Sequence, residues 1–271
     1  MESAIGYRCG RFVEVRGLRL WTSVRGKERP LLLINGIGAS LELLDPIRNA
    51  FEGLQTIAFD APGVGRSSVP RMPLSLRKLA RVVEEMLSRL GFAQVDVLGV
   101  SWGGALAQEY AWRYPHRVRR LILAATGPGW ISLPPNPLAA GLMATPLRYW
   151  SSSYLERIAG TVYGGELREN PELLRVRGYY RMVSPPSFTG YLGQAVALVG
   201  WTSLPWLWRL TQPTLIVAGD DDPIAPLFNA RIMARLIPNS RLHVIEGGGH
   251  LTLLTRAREI APAIVDFLHG K

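Results

Sequence analysis

The stretch LGVSWGGALAQ, Leu98 to Gln108, decides how the rest of the chain is read. Val95 to Leu98 closes an apolar run of strand type, and from Gly103 onward the pattern is helical. Ser101 sits at the junction, between Gly99 and Gly103. A chain that leaves a strand and enters a helix across one residue must turn sharply and hold that residue in a strained conformation. Glycines on either side leave room for it. A Gly-x-Ser-x-Gly match alone is weak. Between a strand and a helix it marks Ser101 as a candidate nucleophile instead of an idle serine in a glycine turn.

Working outward, short apolar runs alternate with longer helical patterns. RFVEVRG and LRLWTSV alternate at period two and read as an opening antiparallel pair. PLLLING (Pro30–Gly36) and LQTIAFD (Leu54–Asp60) are continuously apolar, the signature of strands covered on both faces. Between Leu74 and Leu90, the residues Leu76, Leu79, Val82, Val83, Met86, Leu87 and Leu90 share one helical face, and Gly91 ends that helix. After VDVLGV and the helix GALAQEYAWRY, stopped by Pro115, comes the strand VRRLILAAT. From Gly127 to about Leu210 the alternation is lost and Pro, Gly, Ser and aromatic residues gather. Regular order resumes with PTLIVAGD (Pro213–Asp220), a helix near Leu227–Leu236, the strand RLHVIEG and a last helix from about Leu254 to Leu268. Repeated strand, helix, strand order predicts an α/β fold, a parallel sheet with helices on both faces. Residues 1–126 and 211–271 are expected to form the core. Residues 127–210 are expected to be a lid inserted over the C-terminal strand ends, where such sheets bind ligands.

A serine hydroxyl needs a base, and the base needs a carboxylate to orient it. In this architecture the partners follow the serine in the order acid, then histidine, each just past a strand. Of the four histidines, only His250 follows a strand directly, after RLHVIEGGG. His116 lies in a Pro-His turn, His243 inside a strand pattern and His269 at the tail. AGDDDPIAP offers Asp220, Asp221 and Asp222. Asp222 is furthest past the strand end and best able to reach His250; Asp220 is its main competitor, and Asp221 reads as a solvated residue. The tetrahedral intermediate calls for two N–H donors. Trp102, opening the helix, supplies one. The loop NGIGAS (Asn35–Ser40) supplies the other, with Gly36 and Gly38 leaving the Ile37 N–H free to point inward.

With these motifs in hand, the sequence resembles the α/β-hydrolase superfamily over nearly its whole length, through NGIGAS, FDAPGVGRSS, GVSWGG, AGDDDPIAP and GGGHL. Longer matches resemble the intracellular poly(3-hydroxyalkanoate) depolymerases that act on medium-chain-length polyesters. They include LLINGIGASLELL, VYGGELREN and LVGWTSLPWLWRLTQPTLIVAGDDDPIAPLFNARI (Leu198–Ile232). The resemblance implies an α/β-hydrolase fold with a mostly parallel eight-stranded sheet and a mainly helical lid. It also implies a Ser101, Asp222, His250 triad and oxyanion donors at Ile37 and Trp102. Asn35, where a His-Gly pair is commoner, bears on substrate detail. The run Gly247–Gly249 is expected to shift His250 slightly. The aromatic residues of the middle segment fit a greasy substrate: Trp130, Trp150, Tyr163 and Trp201, together with Asn35 of the NGIGAS loop, are the candidate lining residues, although more than half of the segment's aromatics are expected to pack in its own small core or against the sheet.

Composition narrows the alternatives. The chain has 271 residues, of which 48% are hydrophobic and 19% charged, enough for one large core and against disorder. Cys9 is the one cysteine, which excludes an internal disulfide framework and suits a reducing compartment. Met1–Gly10 lacks a signal-peptide core, and Ala195–Trp208 is too interrupted to span a bilayer, so a cytoplasmic enzyme is expected. The net charge of +10 comes from dispersed arginines without an interleaved basic-aromatic motif, which argues against a nucleic-acid partner and fits attraction to an anionic granule surface. No metal or organic cofactor is expected for acyl-enzyme chemistry. The rivals are a small-molecule carboxylesterase, a lipase or a C–C bond hydrolase with the same triad, an acyltransferase, and a non-catalytic granule-binding protein.

Overall fold

The computed structural model describes residues 10–51, 53–176, 179 and 184–270; Cys9 lies outside the described residues. Eight strands form one sheet in the order β1 (Arg11–Val15), β2 (Leu18–Arg25), β4 (Gln55–Phe59), β3 (Pro30–Ile34), β5 (Val95–Val100), β6 (Val118–Ala124), β7 (Thr214–Gly219), β8 (Ser240–Ile245). β1 and β2 are antiparallel, as the alternating hairpin predicts, and β2 runs antiparallel to β4. From β4 to β8 every neighbouring pair is parallel.

The continuous apolar strands are explained by what covers them. In β3, Leu32 and Ile34 pack into a layer shared with the helices α2 (Leu76–Arg89) and α3 (Trp102–Arg113). Leu31 and Leu33 point the other way, into a layer shared with α1 (Asp45–Ala50) and the C-terminal helix Ala257–His269. Neighbouring strands repeat the split: Leu121 and Leu123 of β6 face the first layer, Ile122 and Ala124 the second. α2 starts where Ser75 accepts a hydrogen bond from the Lys78 N–H, a cap at the first turn. It buries Leu76, Leu79, Val82, Val83, Met86 and Leu87, the face read from the sequence. Burial of each such side chain stabilises the fold by roughly 1.5–3 kcal/mol before entropy is counted.

Between β6 and β7 the chain forms short helices, among them α4 (Pro137–Met143), α5 (Leu147–Trp150) and α6 (Ser152–Tyr163), followed by a helix at Phe188–Leu198. The two stems of this insertion are joined: the Trp130 N–H donates to the Trp201 carbonyl (2.7 Å) and the Ser203 N–H to the Pro128 carbonyl (2.8 Å). Leu155, Ile158, Ala159, Val162, Tyr163, Leu167, Leu174 and Tyr179 make a separate small core, joined by Leu254 from the segment just after His250. Of the segment's aromatics, Tyr180 lies outside the described residues. No helix among the described residues is long and apolar enough to cross a membrane.

Candidate active site

β5 delivers the chain to Ser101, which has φ 54° and ψ −119°, and α3 begins at the next residue. This is backbone strain at a non-glycine residue, the kind that persists only where surroundings over-determine it. The surroundings do. A Cβ at Gly103 would lie 2.1 Å from the Ile34 carbonyl oxygen, and one at Gly99 would lie 2.4 Å from the Gly103 carbonyl oxygen. The Ser101 N–H donates to the Ala124 carbonyl (2.9 Å), and the Thr126 hydroxyl donates to the Ser101 carbonyl (2.8 Å).

The distant residues converge on this turn. His250 Nε2 lies 2.9 Å from Ser101 Oγ, and His250 Nδ1 lies 2.8 Å and 3.0 Å from the two Asp222 oxygens. Asp222 and His250 are both buried, so their pairing is shielded from water. Asp222 Oδ1 also accepts from the N–H groups of Ile224 (2.8 Å) and Ala225 (2.9 Å), fixing the carboxylate on its loop. Ser101 is thereby within reach of a base that is itself oriented, the arrangement that activates a hydroxyl for attack on a carbonyl. Asp220, the competing carboxylate, is exposed.

Asp221 departs from the sequence reading. It is not simply solvated: the Arg168 guanidinium grips it through two bonds (2.6 and 2.7 Å), and the Gly165 N–H donates to it (2.6 Å). The hydrogen bonds from Arg168, helped by the Gly165 amide, hold its carboxyl below the usual carboxylate range. The same stretch, Tyr163 to Arg168, is pressed against the loop that carries His250. The His250 N–H donates to the Tyr163 carbonyl (2.6 Å), and the Tyr163 ring lies parallel to the imidazole at 6.5 Å. A Cβ on Gly165 would sit 2.4 Å from the Gly249 nitrogen, and one on Gly249 would sit 2.3 Å from the Tyr163 carbonyl oxygen. The glycine pair in VYGGELREN and the run before His250 are thus two halves of one close contact. That contact needs both runs to lack side chains, and it sets where His250 lies.

The loop Asn35–Ser40 closes the site from the other side. The Asn35 side chain accepts from the Gly36 N–H (2.8 Å) and donates to the Ser40 carbonyl (2.8 Å), so it braces the loop from within while lining the cavity. The Ile37–Gly38 peptide is held at both polar ends by the insertion: the Tyr149 hydroxyl donates to the Ile37 carbonyl (2.6 Å), and the Gly38 N–H donates to Gln194 Oε1 (2.7 Å). The Gln194 carbonyl in turn accepts the Trp102 indole N–H (2.8 Å). Gly36, Ile37 and Ser101 line the same cavity.

Two cavities meet at Ser101. A narrow one of about 70 Å³ is lined by Ile37, Leu43, Ile47, Tyr149, Tyr163, Tyr179, Arg148 and His250 among others. A broader groove of about 470 Å³ runs past Trp102, Thr126, Trp130, Leu198 and Trp201. Of the candidate lining residues, Tyr163 and Asn35 border the narrow cavity, and Trp130 and Trp201 border the groove. Trp150 needs correcting: it borders neither, because its ring is half exposed on the outside while its indole N–H reaches the Pro186 carbonyl (3.3 Å). Its neighbours Arg148 and Tyr149 turn inward instead. Arg148 was missed because an arginine among aromatic residues reads as a solvated charge. No cluster of three or more His, Cys, Asp or Glu residues suited to a metal occurs among the described residues.

Residues 29–257 match the family described as alpha/beta hydrolase fold, and the chain belongs to that family. It is 48% identical over 262 residues to a poly(3-hydroxyalkanoate) depolymerase of Ectopseudomonas oleovorans, covering 95% of this chain and 92% of that protein. It is 31% identical over 276 residues to a 2-hydroxymuconate semialdehyde hydrolase of Pseudomonas putida, covering 96% and 94%. Among solved structures, an esterase from Exiguobacterium antarcticum superposes with a TM-score of 0.83 at 24% identity, covering 96% of this chain and 99% of the esterase.

Proposed function

We propose that the chain is a serine carboxylic-ester hydrolase working through an acyl-enzyme, specifically an intracellular poly(3-hydroxyalkanoate) depolymerase that releases 3-hydroxyalkanoic acids or short oligomers. The observation that carries this reading is the unbroken hydrogen-bonded chain from Asp222 through His250 to Ser101, opening onto apolar cavities. The depolymerase relative at 48% identity supports a polyester as the substrate.

His250 takes the Ser101 proton as Oγ attacks the ester carbonyl, and Asp222 stabilises the imidazolium that forms. The N–H groups of Ile37 and Trp102 receive the developing oxyanion. The C–O bond breaks, and His250 Nε2 hands its proton to the departing alkoxide. Water, deprotonated by the same histidine, then attacks the acyl-enzyme; the acid is released and Ser101 regains its proton. No step calls for a metal or an organic cofactor. Residues 127–210 serve as a lid that keeps bulk water from the acyl-enzyme and lines both cavities.

The exposed apolar side chains Trp130, Ile131, Leu138, Phe188 and Val199 of this segment, with the basic surface, support docking on an intracellular polyester granule. Fractionation of polymer-containing cells should find the protein on the granules; a wholly free pool would reject that part. The catalytic reading is tested with Ser101→Ala on a chromogenic ester and on amorphous medium-chain polyester, with products identified by mass. Turnover should fall by about five to six orders of magnitude. Near-wild-type turnover would overturn it.

A further inference from the structure

Arg148 carries a charge that nothing described around it balances. It is 2% exposed, at the wall of the narrow cavity beside Ser101. Its Nη1 donates to the Thr145 carbonyl (3.1 Å) and to the Tyr191 hydroxyl (3.0 Å), and its guanidinium lies over the Tyr149 and Tyr191 rings at 4.6 and 5.2 Å. Those are neutral partners. Its Nε has no acceptor, and no carboxylate pairs with it among the described residues. Burial pushes the Tyr149, Tyr163 and Tyr179 hydroxyls above the usual phenol range, so none of them supplies the missing negative charge near neutral pH. A buried guanidinium without a counter-ion is costly to keep, and the cost falls when an anion arrives.

His250 lines the same cavity and is absent from the lining of the broad groove. The alkoxide that leaves the tetrahedral intermediate must take its proton from His250 Nε2, so the alcohol half of the ester belongs on the Arg148 side. In a chain of 3-hydroxy acids the alcohol half at one end is special: it is a 3-hydroxy acid with a free carboxylate. We propose that Arg148 is a carboxylate-binding residue that receives the free acid end of the substrate, so that cleavage releases the terminal 3-hydroxy acid into the narrow cavity. The acyl half then lies in the groove between Trp130 and Trp201. The assignment rests on the ester-hydrolase reading above. In balance, the ester C–O bond breaks, the hydroxy acid's alkoxide oxygen gains the His250 proton, and its carboxylate keeps its charge against Arg148.

The test compares a linear dimer of a medium-chain 3-hydroxy acid as the free acid and as its methyl ester. The native protein should favour the free acid by about tenfold or more in kcat/KM, as expected for a charge-assisted bond made in a buried site. In parallel, hydrolysis of a nitrophenyl ester should be inhibited competitively by the free 3-hydroxy acid and about tenfold or more weakly by its methyl ester. Arg148→Gln and Arg148→Met should bring both ratios close to one, and Arg148→Lys should keep part of each. Ratios are read within one preparation, so partial loss of folded protein divides out. Equal handling of acid and ester by the native protein, or native ratios in the glutamine variant, would overturn the assignment. The inhibition arm uses a plain ester, so it decides the role of Arg148 even where no dimer is cleaved, an outcome that would instead count against the polyester reading.

Discussion

Ser101 and His250 face each other across 2.9 Å, yet they are held by different parts of the molecule. Ser101 is fixed by the sheet. Its strained backbone is enclosed by β3, β5, β6 and α3, where Gly99 and Gly103 leave no room for a methyl group. His250 is held by Asp222 on one side and by the insertion on the other, through the Tyr163 carbonyl, the glycine contact at Gly165 and Gly249, and the Arg168–Asp221 pair beside Asp222. Ser101 is as rigid as a close-packed core. His250 is as rigid as the contact between two segments. Changes in the sheet should therefore cost stability first, and changes in the insertion should cost rate first.

The comparison can be broken at several points. After Ser101→Ala, the largest effect is expected from Asp222→Asn, which keeps the side-chain volume but disfavours the tautomer needed at His250: kcat should fall by about four orders of magnitude with little change in melting temperature. Gly103→Ala forces a methyl group onto the Ile34 carbonyl, and denaturant unfolding should show a loss of about 3 kcal/mol or more. If that variant keeps full stability and loses only rate, the sheet does not hold the serine as described. Gly165→Ala, with φ +55° and a methyl directed at Gly249, should displace His250 and lower kcat by about a hundredfold, with a smaller loss of stability than Gly103→Ala because the contact between the two segments can open.

The smallest effect belongs to Arg168→Ala. Both side chains of that ion pair are partly exposed, at 48% and 38%, so solvent screens it and the cost should be about 1 kcal/mol or less. Its pH dependence has a definite sign. Asp221 is held below its unfolded carboxylate value of 3.8, so its contribution is present above that pH and disappears as pH falls through the lower, folded value. The melting temperatures of the native protein and of Arg168→Ala should therefore converge on acidification. A gap that widens toward acid would contradict the pairing.

Most of the sheet was legible because its strands are buried on both faces: PLLLI and TLIVAG leave little choice of element. The candidate triad was legible for a related reason, since its members must sit just past strand ends, and few polar residues do. The insertion was read less well. Its helices are short, and direction within them depends on packing that the sequence does not display. Trp150 and Tyr149 are adjacent, yet the tyrosine turns in toward Ile37 and the tryptophan out. Asp221 gave no local sign of an arginine more than fifty positions away in the chain. Arg148 is hidden for the same cause: a cation buried against rings spells the same letters as one in solvent.

The Ile37–Gly38 peptide is clasped by Tyr149 on one side and Gln194 on the other, and Gln194 also holds the Trp102 ring. Under the oxyanion role proposed above, a swing that lifted these helices would release the Ile37–Gly38 peptide and the Trp102 ring in the same movement. Admission and reactivity thus compete for the same few bonds. On the polyester reading proposed above, feeding a strand lengthwise, tip first, is the route that leaves the latch shut.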